Sequence, residues 1–115
     1  MKLPVPRIKV DIRSNLPLEE VANRVSEKLF PGCGWHRSKS GYYEDVPALD
    51  LDVPLLGLRL SLVEQAALKL YTLEGHFDLS SLIFKNVEPD EHEMGHALSA
   101  LLKSVPGFSD VTVAA

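Results

Sequence analysis

One cysteine, Cys33, stands alone in 115 residues. No intramolecular disulfide can form, which excludes the small secreted scaffold held together by cross-links and makes a reducing compartment, the cytoplasm, the expected location. Long apolar runs are missing too. Stretches such as Val53 to Leu58 fall far short of a bilayer crossing and are broken by Pro54 and Gly57. The first residues carry Lys2, Arg7 and Lys9, but Pro4 and Pro6 interrupt them before an apolar segment can develop, so no signal peptide is read there. Positive charge is in short supply. Lys and Arg number 12 against 16 Asp and Glu, a formal net charge of -4, which provides no electrostatic footprint for a phosphate backbone. Neither nucleic acid nor a membrane is an expected partner. The mild acidic excess would instead steer the chain toward a basic protein.

What the chain does have is enough apolar material, 45% of its residues, to build one packed core without metals or cross-links. A single domain over 1–115 is therefore expected. Ile8, Val10 and Ile12 alternate with Lys9, Asp11 and Arg13, the period of a strand with one buried face. Pro17 suits a first helical turn, and Glu19 and Glu20 favour the positive end of a helix dipole. Leu18, Val21, Ala22, Val25 and Leu29 then recur at helical spacing until Pro31-Gly32. Residues 31–41, with Gly32, Gly34 and Gly41, read as loop.

Leu49, Leu51 and Val53 oppose Asp50 and Asp52, and Leu56, Leu58, Leu60 and Leu62 alternate with Gly57, Arg59 and Ser61, so the two runs read as a hairpin. Leu68 to Leu73 is a further candidate strand, and Asp78 to Phe84 fits neither period clearly. Glu88-Pro89-Asp90-Glu91 reads as the start of a second helix. Its apolar stripe is Met94, Ala97, Leu98, Leu101, Leu102 and Val105, and Pro106-Gly107 ends it. Asp110 to Val113 reads as a closing strand. This order predicts an α+β fold, a mostly antiparallel sheet with two helices on one face, of the ferredoxin-like split βαβ kind or a relative.

Two sets of residues invite a functional reading. His92-Glu93-Met94-Gly95-His96 puts two imidazoles four apart. On a helix they project to the same side and can hold zinc while Glu93 activates a bound water. Catalytic zinc wants a third protein ligand, yet the 19 residues after His96 contain no His and no Glu. Asp110 is the one downstream acid able to serve, and His36 or His76 would have to be brought round by the fold. A solvated helix face is the preferred account. The alternative is a compact zinc-dependent hydrolase with His92 and His96 as metal ligands and Glu93 as the catalytic base.

The second set is Tyr42, Tyr43, Glu44 and Asp45 with Asp50 and Asp52 on the outward face of a strand, the densest patch of acids and aromatics in the chain. Tyrosine is favoured at protein interfaces, and carboxylates on a rigid strand can meet a basic partner. An edge strand guarded by charge explains the same residues. Cys33 lies near Trp35 and His36, where a thiol beside an imidazole could act as a nucleophile, but a free surface thiol accounts for it without a third orienting group. His76, between Gly75 and Phe77, reads as a turn residue without a role.

The tract Gly41-Tyr42-Tyr43-Glu44, then Val46-Pro47-Ala48, then Leu56-Gly57-Leu58-Arg59-Leu60-Ser61-Leu62 resembles the small immunity proteins of bacterial polymorphic and contact-dependent toxin systems. The layout, a helix before the tract and another near the end, is similar over roughly residues 8–113. The resemblance implies a non-enzymatic function, binding and neutralising a cognate toxin domain, with no cofactor. Side-chain chemistry makes Tyr42, Tyr43, Glu44, Asp45, Asp50 and Asp52 the candidate contacts.

Overall fold

The computed structural model describes residues 2–38, 46–53, 58–77 and 88–114. In chain order its elements are strands β1 (Lys2–Arg7) and β2 (Lys9–Ser14), helix α1 (Leu18–Leu29), strands β3 (Trp35–Arg37), β4 (Ala48–Leu51), β5 (Leu58–Gln65), β6 (Leu70–Phe77) and β7 (Glu88–Glu93), helix α2 (Gly95–Leu102) and strand β8 (Phe108–Val113). A 3-10 turn, Ala66–Leu68, links β5 to β6.

Six of the described strands form one sheet in the order β3-β4-β5-β6-β2-β8, paired antiparallel throughout. Period-two patterning is what makes it two-faced. The registers set Val10 opposite Leu73, Leu73 opposite Leu62 and Leu62 opposite Leu49, which lines up apolar side chains across four strands. Leu18, Val21, Ala22 and Val25 of α1 and Leu102 of α2 belong to the same buried cluster. The helices touch each other, α2 also touches β2 and β8, and α1 touches β5, so both cover the same face. The chain is α+β. Where a ferredoxin-like unit has four strands, this sheet has six, because β3 and β4 extend it beyond β5. A separate parallel pair is formed by β1 and β7. Among the described residues no helix is long and apolar enough to cross a membrane.

Helix α1 follows its expected bounds. Pro17 precedes the first turn and its carbonyl accepts from the Val21 amide, Arg24 Nε meets Glu20 Oε1 at 3.1 Å one turn back, and Phe30 N closes the helix on Ser26 O. Gly32 then takes a left-handed φ of +88°, which an L side chain rarely adopts. The hairpin of β4 and β5 also forms as the alternation predicts. The strand expected over Leu68 to Leu73 begins at Leu70 and runs on to Phe77, so His76 lies within β6 and not in a turn. The segment 78–84 lies outside the described residues.

Two expectations are corrected. Residues 31–41 were expected to be loop throughout, but Trp35–Arg37 pair with β4 as a short strand. More consequentially, Glu88 to Glu93 form a strand and not the first turns of a helix. The early proline and the acids mimic a helix start, yet β1 supplies a parallel partner over the whole length of β7, with Arg7 Nη1 3.5 Å from Glu93 Oε2. Pro4 and Pro6 disguise β1, since proline donates nothing to a ladder. Helix α2 consequently starts at Gly95, whose amide donates to Glu93 Oε1 at 2.6 Å. Its buried residues are Gly95, Ser99 and Leu102, while Met94 and Leu101 of the expected stripe are exposed. A Cβ on Gly95 would stand 3.2 Å from Val113 Cγ1, so the small residue lets α2 settle close on β8.

Tyr71 ties the sheet to the approach of α1, donating from its hydroxyl to Leu16 O at 2.5 Å. Burial, followed by the charges of Glu64 and Glu19, raises its phenol above the ordinary 10.0. Above pH 10 the unfolded chain ionises this group before the folded one does. Its contribution is therefore complete below pH 10 and is lost as pH climbs toward the folded-state value. Tyr71→Phe is expected to flatten that alkaline decline while costing about 0.5–1.5 kcal/mol at pH 7. Urea denaturation of both proteins at neutral and alkaline pH measures it, and parallel declines would show that Tyr71 is not the group responsible.

Candidate functional site

The sheet face away from the helices carries the polar residues. Strand β3 sets His36 opposite Asp50 on β4, and Asp50 lies opposite Ser61 on β5. Ser61, with no exposure at all, donates from Oγ to Asp50 Oδ1 at 2.6 Å. The other oxygen of Asp50 lies 4.0 Å from His36 Nε2, and His36 Nδ1 is 2.6 Å from Asp52 Oδ1. An ionised carboxylate only accepts, so Nδ1 carries the hydrogen of that bond. Gly34 makes the last contact possible: a Cβ there would fall 2.8 Å from Asp52 Oδ2. The Gly34 carbonyl also accepts from the Asp52 amide at 2.9 Å, which fixes the backbone beneath the carboxylate.

These four side chains include the components of a hydrolytic triad in the wrong order. Nucleophilic catalysis needs the imidazole next to the hydroxyl, so that a base receives its proton, with the carboxylate behind the imidazole. Here Asp50 stands between Ser61 and His36, and the hydroxyl is sealed from solvent. The chain of contacts instead runs outward from a buried hydroxyl to an exposed carboxylate, since half of the Asp52 side chain remains accessible. What such an arrangement does chemically is hold one carboxylate still at the surface.

Of the six expected contact residues, Tyr42, Tyr43, Glu44 and Asp45 lie outside the described residues. Asp52 is exposed as expected. Asp50 is not: it is 5% exposed, and the expectation that it lies on an outward, wet face is corrected. The parity was right, because Asp50 does oppose Leu49 and Leu51, but β4 is an interior strand flanked by β3 and β5. Strand β3 was not expected, and without it β4 reads as an edge. His36 was expected only beside Cys33 or as a third zinc ligand, and Ser61 was given no role; the signal available for His36 was its place two residues past the glycine that admits Asp52. Cys33 is a free thiol, half-buried against the core, and His36 is engaged with Asp52.

The His92 to His96 motif does not occupy one helix. His92 and Glu93 end β7, and His96 sits on the first turn of α2. His92 Nε2 is 3.2 Å from Asp90 Oδ2, Glu93 is held by the Gly95 amide and Arg7, and His96 is exposed. The shared helix face that zinc ligation by this spacing relies on is thus absent, and the third-ligand candidates Asp110, His36 and His76 lie on β8, β3 and β6. Among the described residues no group of three or more His, Cys, Asp or Glu is arranged to hold a metal ion.

No known family model matches the chain, no curated protein matches it, and no solved structure matches its fold.

Proposed function

We propose that the chain is an inhibitor of the immunity type, which binds a basic toxin domain and neutralises it without catalysis. The observation that carries this reading is the wiring of Ser61, Asp50, His36 and Asp52, which orients an exposed carboxylate and leaves no activated nucleophile. A preset acidic group is what a binding surface needs, because it need not be ordered again on association. Its location favours the same use. Strand β3 ends the sheet order, and the bonds Asp52 N to Gly34 O and Ser38 N to Ala48 O leave the main-chain groups of Trp35 and Arg37 directed away from β4. In the sequence, Tyr42 to Asp45 lie between β3 and β4. With a net charge of -4, approach to a basic surface is accelerated.

Co-expression with a toxin domain encoded beside it should protect cells. Asp52→Lys should slow association with that domain roughly tenfold at low ionic strength and much less at high salt, since charge on an exposed rim acts mainly on encounter. Stopped-flow mixing measures the rates. Unprotected cells, or rates indifferent to charge reversal, would remove the proposal.

A further inference from the structure

The prolines of the β1–β7 ribbon decide which of its edges can take another strand. In a parallel pair, alternate residues turn their main-chain N–H and C=O toward the neighbour and the others turn them away. Arg7 O accepts from Met94 N at 3.0 Å, so Leu3, Val5 and Arg7 bond to β7 while Pro4 and Pro6 face outward. On β7, Asp90 and His92 bond to β1, and Pro89, Glu91 and Glu93 face outward. Each of these prolines therefore occupies a position that needs no ladder donor. Ile8 O accepts from Gly75 N at 2.9 Å, so Pro6 is next in line along β6, and the β2–β6 pairing ends at Lys9 opposite Glu74. Pro4 and Pro6 thus close the outer edge of β1.

The outer edge of β7 is open. Beyond Pro89 it presents the N–H and C=O of Glu91 and of Glu93, and among the described residues no main-chain group meets them. Both residues are exposed. A two-stranded ribbon is marginally stable by itself and gains from a third strand. Charge says which kind of strand fits, because four of the six residues of β7 are acidic. Glu93 is held by the Gly95 amide and lies 3.5 Å from Arg7, and Asp90 is 3.2 Å from His92, but Glu91 has no ion-pair partner among the described residues. A second copy of the chain is a poor occupant. Antiparallel self-pairing centred on His92 sets Glu91 opposite Glu93, pairing centred on Glu91 sets it opposite itself, and like charges directly opposite destabilise a ladder.

We infer that the outer edge of β7 receives an extended basic segment of a protein partner, laid antiparallel as a third strand with a lysine or arginine opposite Glu91. Main-chain bonds to Glu91 and Glu93 supply the pairing, and the unpaired carboxylate selects the charge. Strand β3, which carries the contact to Asp52, lies at the other end of the sheet order from β2 and β8. The two contacts are separate, and strand addition at β7 stands whether or not the chain inhibits a toxin.

The test uses the full chain labelled with ¹⁵N and the capped peptide Val-Lys-Val-Lys-Val, with its glutamate counterpart and two N-methylated forms. Methylation of both lysines removes the N–H groups that face β7 when a lysine stands opposite Glu91, and methylation of the central valine removes one that faces away. The parent peptide should bind with a Kd on the order of millimolar at low ionic strength, moving the amide signals of Glu91 to Met94 and slowing hydrogen exchange at Glu91 and Glu93. The valine-methylated form should match it, while the lysine-methylated and glutamate forms should bind at least about fivefold more weakly. Glu91→Pro adds another proline at an outward position, leaves the bonds to β1 in place, and should cost at least about fivefold, whereas Glu91→Gln keeps the N–H and should cost about twofold. Equal binding of the two methylated forms, equal losses in the two variants, or no shifts at about 10 mM peptide would overturn the inference. So would shifts confined to the His36 and Asp52 region. Movement of the Glu91 and Glu93 signals with protein concentration alone would also overturn it, by making the occupant a second copy of this chain. Should Glu91→Pro disturb the ribbon, the methylated peptides still decide on the unaltered chain.

Discussion

Leu73→Ala is expected to destabilise the protein by about 2–5 kcal/mol, the range for removing a large aliphatic side chain from a site that cannot collapse. Leu73 has no exposure and sits on β6 between Val10 of β2 and Leu62 of β5, both of which are also fully buried. Its neighbours on either side are held by strand pairing, so they cannot move in to fill the gap. Other residues of the same cluster come from both helices, and a void there loosens the contact between layers as well as within the sheet. Urea denaturation followed by circular dichroism measures the loss. A change below about 1 kcal/mol would mean that the helix-covered face is not the stabilising core.

The second large effect is expected from a substitution that removes a single oxygen. Ser61→Ala takes away the hydroxyl that donates to Asp50 and leaves a carboxylate at 5% exposure, with the His36 ring 4.0 Å away across the strand pair. Leaving a buried acceptor short of a donor costs about 1–3 kcal/mol, and more when it is charged. Asp50→Asn combined with Ser61→Ala should recover part of that, because the buried group then carries no charge. The four proteins form a double-mutant cycle, and an interaction energy near zero would show that the bond is not coupled to folding. The pair also bears on function. If Asp50 orients His36 and thereby Asp52, Ser61→Ala should weaken partner association more than its distance from the surface suggests.

Much of the fold could be read locally. The alternation through Val10 and Ile12 placed β2, the helical spacing from Leu18 to Leu29 placed α1, and the matched runs around Leu49 and Leu60 placed the β4–β5 hairpin. The site was less legible. Asp52 could be named from its chemistry, but His36 and Ser61 join it only because three strands set them side by side, and their order in the chain carries no trace of that.

By itself the sequence determined which residues alternate and where α1 stops, because these depend on neighbours within one turn or one pleat. Only the tertiary structure decided that Glu88 to Glu93 extend along β1, that α2 begins at Gly95, and that Asp50 is covered by β3 and β5. The reason is the same in each case. Pairing with a distant strand satisfies backbone and side chain at once, and that gain outweighs the local preference for a helix at Pro89 or for a solvated aspartate on β4.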